Sequence, residues 1–386
     1  MATDDKSSLE GLEVLMNEFF TTTSNDRKRE IENMLNSFLQ QDGAWRSCGF
    51  FLNNTKNHYV LMYSMSVFEH LVNKRWAGIS QTEKFEIRHL LSHYLMNNHQ
   101  NLPVFVKNKL VKVLVDIGRQ DWPHFYPDFF TNILEVLHQP LTTNLGLIML
   151  QMTSEELVAP SEDLSVQRKE ELHKLLLNQV PGLLNMLGTF LESILEKHRR
   201  IVSTATPPPS PTHGESSQSI SPRGENGLDL FSLSPPHGNN NRRHSPLIGR
   251  LLNHNNKTNL NNPLPPLDPD SEELSSLALA CLAHLFSWIP LSAHITPSLL
   301  ATVFCFAEFG CDVLTSGSGM TTAGSSTRLG VLAMDCVNEI LSKNCVPAEF
   351  EEFLLRLFQQ TFHLLQRITK DTGVQTAGHK LLELDE

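Results

Sequence analysis

The chain has 386 residues and a formal net charge of −11, from 42 acidic and 31 basic side chains, and 40% of its residues are apolar. This length can form two or three compact domains or one elongated repeat stack with a sizeable core. The negative charge argues against a general surface for nucleic acid or anionic membranes. An acidic surface suits a basic protein partner, although acidity for solubility alone explains the charge more simply.

Neither a secretory signal nor a membrane span is predicted. Residues 1–8 are polar and acidic, and no apolar run reaches the roughly 18 residues that a transmembrane helix needs. The six cysteines lack C-x-x-C spacing, and Cys281, Cys305 and Cys336 fall on predicted apolar helix faces, as is typical of reduced cysteines. We therefore expect an intracellular protein without a disulfide framework or a zinc knuckle.

Amphipathic helices are predicted along most of the chain, because apolar residues recur every three or four positions. The predicted helices cover residues 7–20, 25–39, the stretch from 44, 58–76, the stretch from 80, 103–121, 143–158 and 164–198. Period-two alternation is absent, so no strand is predicted. Two helices in roughly 40 residues are typical of HEAT-type repeats. The predicted fold is an all-α HEAT-type solenoid of antiparallel helix pairs.

The stretch from Leu102 to Phe130 is predicted to contain two helices and a corner. Its first helix presents an apolar stripe that begins at Val104. Proline is tolerated in the first turn of a helix and disfavours helix in the residue before it. We therefore expect Pro123 to end this helix and to start the next one at once, with Phe125 as one of its apolar residues.

A segment of different composition, residues 200–269, interrupts the helices. It is rich in Pro, Ser and Asn, with six basic and four acidic residues, and is predicted to be a disordered insertion. Five hydroxyl residues precede proline and are candidate phosphosites for proline-directed kinases: Thr206, Ser210, Ser221, Ser234 and Ser245. Ser and Pro simply abound in disordered linkers, so an equally good alternative is that none of the five is modified.

Helices resume at Asp270 and are predicted over residues 270–289, through Leu299, over 328–342 and over 347–368. The glycine- and serine-rich stretch 315–327 superficially resembles a phosphate-binding loop. It lacks the Gly-Lys-Ser/Thr ending and a flanking strand, so we interpret it as a plain loop.

Few residues point to catalysis. His89 and His93 have the spacing of two zinc ligands on a helix, but no glutamate follows His89 and no third ligand stands at a typical distance. No GxSxG, Walker or dinucleotide-binding pattern occurs. We predict no catalytic residue, metal or cofactor, and no enzymatic activity.

One pattern resembles a known family, the importin-β superfamily of nuclear transport receptors, and its exportin branch in particular. The residues that carry the resemblance are Asn108, Lys109, Leu110, Val113, Leu114, Ile117, Asp121, Trp122, Pro123, Pro127, Phe129 and Phe130. Residues 60–76, followed by Ile87, Arg88, Leu90 and Leu91, look like the importin-β N-terminal domain. Leu282 together with residues 287–290 looks like a helix ending typical of exportins. The stretches 145–157 and 279–300 point to a branch member whose cargo is actin with profilin.

The resemblance implies a function that periodicity cannot show. Receptors of this family bind the small GTPase Ran in its GTP form through second-layer helices of the first repeats, bind a protein cargo further along, contact nuclear pore proteins and shuttle between nucleus and cytoplasm. By position, residues 25–39, 58–76 and 103–121 form the Ran-facing layer. The polar candidates for Ran contacts on it are Asn73, Lys74, Lys107 and Asn108. The motif residues expected to be structural are Trp76, Lys109, Asp121, Trp122, Pro123 and Trp288.

The domain boundaries predicted on this basis are importin-β N-terminal-like repeats at 1–99, exportin-like repeats at 100–199, the insertion at 200–269 and further repeats at 270–386. Receptors of this family are far longer than 386 residues, so the resemblance implies an N-terminal portion, either a fragment or a shortened isoform. Two alternatives stay open. One is a HEAT-repeat scaffold for another assembly without Ran dependence, and the other is a helical enzyme of unrecognised type.

Overall fold

A computed structural model of the chain describes residues 2–162, 164–205, 267–292, 294–315, 323–344 and 348–371. Every regular element in these ranges is helical, without a strand, which confirms the predicted all-α class. The five candidate phosphosites, Thr206, Ser210, Ser221, Ser234 and Ser245, and residues 316–322 of the glycine- and serine-rich stretch lie outside the described residues. The chain divides into two compact units, Met1–Asn178 and Gln179–Glu386.

The first unit contains eight complete helices and the start of a ninth among its described residues. They are α1 (Ala2–Thr21), α2 (Asn25–Leu39), α3 (Ala44–Asn54), α4 (His58–His70), α5 (Gln81–Asn98), α6 (Val104–Asp121), α7 (Phe129–His138), α8 (Thr143–Val158) and α9 (Val166–Ala205). The helix α4 continues as a π-helical turn, Leu71–Arg75, and a 3-10 turn, Trp76–Gly78.

Local side-chain chemistry explains several helix starts. The Ser24 hydroxyl accepts the Arg27 backbone N–H before α2. Before α5, Ser80 and Glu83 form a complete capping box, in which each side chain satisfies a backbone N–H at the other residue. Gly43 precedes α3 with a φ of 78°, a left-handed conformation that glycine adopts at little cost.

Two layers of helices make up the first unit. In one layer α4 packs on α6 and α6 on α8, and in the other α1 packs on α3 and α3 on α5. The two layers are joined because sequential helices pair, as in α3 with α4, α5 with α6 and α7 with α8. This arrangement confirms the predicted antiparallel pairs.

Two glycines allow helices to approach closely. A Cβ at Gly146 of α8 would lie 2.4 Å from the Leu137 Cα of α7, and a Cβ at Gly118 of α6 would lie 2.2 Å from the Phe129 ring. Only hydrogen fits at either position, so α7 rests almost directly on the backbones of its neighbours.

The prediction that α7 starts at Pro123 is wrong, because the helix begins at Phe129 and turns occupy residues 122–128. A second proline explains the delay: Pro127 has no N–H and keeps Tyr126 out of the helical region. Phe125 is consequently exposed instead of buried. Val104, which was expected on an apolar stripe, is also exposed.

The second unit contains the rest of α9 and four further helices among its described residues: α10 (Pro269–Trp288), α11 (Pro297–Thr315), α12 (Ala323–Leu341) and α13 (Glu351–Asp371). Here α12 packs against both α10 and α11. Asp268 caps α10 by accepting the Ser271 N–H, and the ammonium of Lys197 on α9 lies 3.0 Å from its carboxylate. None of the described helices is long and apolar enough to cross a membrane.

Candidate functional site

The candidate site is a groove on the layer formed by α4, α6 and α8, in the first unit. We call it the α4–α6 groove. Its walls are Leu39, Ser66, Glu69, His70, Asn73, Lys74, Lys112, Asp116, Ser161 and Glu162. Apart from Leu39 every one of these side chains is polar or charged, so the groove suits a charged protein surface better than an apolar ligand.

A π-helical turn forms one wall of the groove. At Leu71–Arg75 the helix that began at His58 widens, which changes the direction of the side chains that follow. This turn carries Asn73 and Lys74, two of the residues predicted to contact Ran. Such turns are often found at functional positions in helices.

A buried ion cluster lies beneath the groove. The guanidinium of Arg119 is fully buried and lies 2.9 Å from a carboxylate oxygen of Glu156 on α8. Its Nη2 donates to Asn73 Oδ1 at 2.5 Å. The Lys112 ammonium lies 2.5 Å from Asp116 and 2.9 Å from Glu156. Two cations and two anions therefore join α4, α6 and α8 with no net charge.

The charged groups of this cluster differ in their pKa shifts and in how many of their polar atoms are hydrogen-bonded. Burial raises the pKa of Asp116, although Lys112 and Arg119 oppose the effect. Burial lowers the pKa of Lys112, but its hydrogen bonds to Asp116 and Glu156 outweigh that and leave the pKa raised. Asp116 Oδ2 and Arg119 Nη1 are buried and have no hydrogen-bond partner among the described residues.

A short segment after α8 closes one side of the groove. Ser161 donates from its hydroxyl to Glu156 Oε2 at 2.7 Å and from its backbone N–H to Glu156 Oε1 at 3.1 Å. Glu162 then reaches the Lys74 ammonium at 3.0 Å, and this hydrogen bond lowers the pKa of its carboxyl group. The exposed Lys74 is thus paired within the chain.

The structure separates the four residues predicted to contact Ran. Asn73 and Lys74 lie together at the groove, on the π turn. Lys107 and Asn108 lie in the first turn of α6, away from Asp116 and Arg119 near its other end. Lys107 is half-buried, and the Asn108 side-chain oxygen is buried without a hydrogen-bond partner within the described chain.

The residues expected to be structural are mostly buried. The indole of Trp76 is buried and hydrogen-bonded to Asp121, and Trp122 is buried and stacks on Phe130. Pro123 follows Trp122 in the turn. Lys109 forms an ion pair with Glu69. In the second unit, Trp288 is half-buried as the last residue of α10.

Of the residues that line the groove, only Asn73 and Lys74 were predicted as site residues; those missed include Lys112, Asp116 and Glu162, and Arg119 and Glu156 of the cluster were missed as well. The sequence contains a signal for Arg119. Asp116 and Arg119 are three residues apart within the apolar stripe of α6, and charges on a buried face need partners. Nothing in the sequence shows that the partner is Glu156, because it lies on a different helix.

The arrangement of polar and charged side chains in the groove is suited to binding. The described residues contain no group of three or more His, Cys, Asp or Glu side chains that could hold a metal ion. The rings of His89 and His93 stack with centroids 6.0 Å apart on α5, without a third ligand in the described chain.

Comparison with known proteins agrees with this architecture. The family model for the importin-beta N-terminal domain matches residues 31–97, and that for exportin 1-like protein matches residues 103–209. Human exportin-6 is 55% identical over 99% of this chain. Exportin-6 of Danio rerio is 47% identical over 99% of the chain, and exportin-1 of Schizosaccharomyces pombe is 26% identical over 45% of it.

The match covers only part of each relative. The chain spans 32% of human exportin-6, 33% of the Danio rerio protein and 16% of the fission-yeast exportin-1. The family models support the HEAT-type class predicted for the helix pairs. The resemblance predicted from the sequence is confirmed: this chain is similar, over nearly its whole length, to the N-terminal portion of exportin-6, an importin-β superfamily export receptor.

Proposed function

We propose that this chain is the Ran-binding, N-terminal part of a nuclear export receptor that carries a protein cargo from nucleus to cytoplasm. The observation that carries the proposal is the 55% identity to human exportin-6 over 99% of the chain. The matching importin-beta N-terminal domain adds support. The receptor acts by binding, and it catalyses no reaction itself.

The mechanism proposed is linked binding. Ran-GTP and cargo each favour the same arrangement of the helical repeats, so each raises the affinity for the other by one coupling free energy. Hydrolysis of GTP on Ran removes its contribution, and both partners then dissociate. In the longer receptor the cargo would be actin with profilin, and passage between the compartments would use nuclear pore proteins.

Within this chain, the α4–α6 groove is the proposed position for one Ran contact. Lys74 is exposed there and uses one donor on Glu162, and because an ammonium has three donors it can also bind a carboxylate on the partner. Asn73 holds the buried Arg119 and therefore fixes the shape of the π turn. Lys107 and Asn108, at the N-terminal end of α6, remain proposed Ran contacts.

The test is binding of the purified chain to Ran loaded with a non-hydrolysable GTP analogue and, in parallel, to Ran loaded with GDP. We expect binding that is selective for the GTP form. Lys74→Glu should weaken it about tenfold, because a surface charge reversal at a close contact costs on the order of 1–2 kcal/mol. Lys169→Glu, an exposed lysine on α9, is the matched control and should change nothing.

The outcomes separate the alternatives. Equal affinity for both nucleotide forms would contradict the export-receptor proposal and favour a scaffold without Ran dependence. GTP-selective Ran binding that is undiminished by Lys74→Glu would support the export-receptor proposal. It would also show that the Ran contact lies outside the α4–α6 groove. Circular dichroism of each variant must show unchanged helix content.

A further inference from the structure

An exposed serine, Ser161, lies where the segment after α8 closes the α4–α6 groove. Residues 159–162 of this segment have no helical structure. The other hydroxyl among the groove-lining residues belongs to Ser66, which is half-buried within α4 and donates to the Met62 carbonyl at 3.1 Å. Because protein kinases bind the residues around their target hydroxyl in an extended conformation, Ser161 is the accessible acceptor of the two.

The sequence that follows Ser161 is acidic. Glu162 and Asp163 come directly after it. Carboxylates beside a serine suit a kinase whose substrate-binding groove is basic, because the two surfaces are then complementary in charge. The five hydroxyl residues that precede proline in residues 200–269 suit proline-directed kinases instead, so Ser161 is a candidate for a different class of kinase.

The hydroxyl of Ser161 lies between an anion and a cation. It donates to Glu156 Oε2 at 2.7 Å, and the Lys112 ammonium donates to it at 3.3 Å. A phosphoryl group on this oxygen removes the O–H that Glu156 accepts and adds a charge of about −1.5 to −2 at neutral pH. The attraction to Glu156 thereby becomes a repulsion, so the phosphate has to turn away from this buried carboxylate.

Lys74 is the cation toward which the phosphate can turn. Its ammonium lies 3.0 Å from the carboxylate of Glu162, the residue next to Ser161, and its side chain is 58% exposed. An exposed ion pair of this kind is weak. A phosphate dianion carries more charge than Glu162 and offers three acceptor oxygens, so it competes well for the same ammonium.

Lys112 provides a second positive charge beside this position. Its ammonium is fixed by Asp116 at 2.5 Å and by Glu156 at 2.9 Å, so it stays with the buried cluster when the phosphate turns outward. Two ammonium groups from α4 and α6 therefore flank the groove at the point where a phosphate on Ser161 would lie.

We propose that Ser161 is a phosphorylation site whose phosphate binds Lys74 in place of Glu162 and thereby blocks the α4–α6 groove. A protein kinase transfers the γ-phosphoryl group of ATP to the Ser161 oxygen. The new O–P bond forms as the bond from the γ-phosphorus to the departing ADP breaks, and the hydroxyl proton passes to the catalytic base of the kinase. The bound phosphate repels a carboxylate of an incoming partner, an effect that rests on the proposed Ran contact at Lys74.

The first experiment compares the unmodified 386-residue chain with the same chain carrying phosphoserine at position 161, installed by genetic code expansion. Affinity for Ran loaded with the non-hydrolysable GTP analogue should fall by about tenfold or more in the phosphorylated chain. Phosphoserine at position 8 is the matched control, because Ser8 is exposed on α1, in the other layer of helices. It adds the same charge and should leave the affinity unchanged.

A second measurement does not involve Ran. Titration followed by phosphorus NMR reports the second pKa of the phosphate on Ser161, which is about 6 for an unperturbed phosphoserine. Lys74→Ala should raise this pKa by about 0.5 or more, because loss of a neighbouring cation disfavours the dianion. Lys6→Ala, which removes an exposed lysine from α1, should leave it unchanged. Circular dichroism should show the same helix content in every sample.

Modification in cells is tested by mass spectrometry of the chain purified from cultured animal cells, in which we expect a phosphate on Ser161. No phosphate on Ser161, undiminished Ran binding by the phosphorylated chain, or an unchanged phosphate pKa in Lys74→Ala would each overturn the proposal. If the unmodified chain itself fails to distinguish the GTP and GDP forms of Ran, the proposed function fails, whereas the phosphorus titration still decides whether Lys74 holds the phosphate.

Discussion

The indole Nε1 of Trp76 donates a hydrogen bond of 2.9 Å to Oδ1 of Asp121, and this bond joins the end of α4 to the end of α6. Lys84 and Arg88 of α5 approach the same carboxylate at 3.5 and 3.4 Å. Asp121 is 2% exposed, so three helices of two adjacent repeats depend on one buried anion.

Removing this anion should be costly. Asp121→Ala leaves the buried ammonium of Lys84 without a counter-charge, and breaking a buried pair in this way costs about 3–5 kcal/mol. Trp76→Phe removes one neutral donor and part of a buried ring but leaves the carboxylate in place, so it should cost less, about 1–3 kcal/mol. Urea denaturation followed by circular dichroism measures both. Equal losses for the two variants would show that the indole packing, rather than the carboxylate, is the main source of stability.

The ion cluster beneath the α4–α6 groove should show strong coupling. Arg119→Ala leaves Glu156 and Asp116 sharing Lys112, and Glu156→Ala leaves Arg119 buried without its closest anion. Each change should destabilise the chain by about 3 kcal/mol or more. The double variant should lose less than the sum, with an interaction free energy of about 1–3 kcal/mol. Additive losses in a double-mutant cycle would contradict a direct ion pair.

Close helix packing predicts opposite effects for two glycine substitutions. Gly146→Ala would force a methyl group against the Leu137 backbone, and overpacking of this kind costs about 1–3 kcal/mol or more. Gly11→Ala should instead stabilise by about 0.5–1 kcal/mol, because nothing lies within 4 Å of its Cβ position and alanine favours a helix. Thermal unfolding of both variants tests the pair. Stabilisation by Gly146→Ala would show that α7 and α8 can separate freely.

The cap of α10 should make stability depend on pH in the acid range. Burial disfavours ionisation of Asp268, but the hydrogen bonds from Ser271 and Lys197 prevail and lower its pKa to about 2. A carboxyl group with a lowered folded-state pKa stabilises the fold above its unfolded value of about 3.9, and this contribution disappears as the pH falls toward 2. Asp268→Ala should cost about 1 kcal/mol near neutral pH.

The difference in melting temperature between the unchanged chain and Asp268→Ala should therefore shrink between pH 4 and pH 2, in the window given by these pKa values. Asp268→Asn is the matched control, because asparagine caps a helix equally well and does not titrate. A difference between the unchanged chain and Asp268→Ala that stays constant across this window would contradict the role of the charge.

The sequence predicts best what is decided locally. The starts of α2 and α5 follow from Ser24 and Ser80, because a capping residue and its partner are at most three positions apart. The start of α7 was misplaced because two prolines compete, and the effect of Pro127 on Tyr126 outweighs the tolerance of helices for Pro123 in a first turn.

The polar chemistry of the groove could be predicted only in part. Asn73 and Lys74 were predicted as Ran contacts from their positions in the family pattern. Their partners, Arg119 and Glu162, lie 46 and 88 residues away, and such pairings are set by tertiary packing that helical periodicity does not encode. The π turn is likewise a response to packing, since its sequence, Leu-Val-Asn-Lys-Arg, is compatible with an ordinary α-helix.

The C-terminal end of α6 is bound by an arginine from a later helix. Arg168, at the start of α9, donates through Nη2 to the backbone carbonyls of Arg119 and Trp122 at the end of α6. The donor follows Trp122 by 46 residues, so a ribosome must add that many residues before α6 can be completed. During synthesis water satisfies these carbonyls at the end of α6 until Arg168 of α9 emerges and replaces it. The α5–α6 pair therefore reaches its final hydrogen bonding only after part of a later repeat has been made.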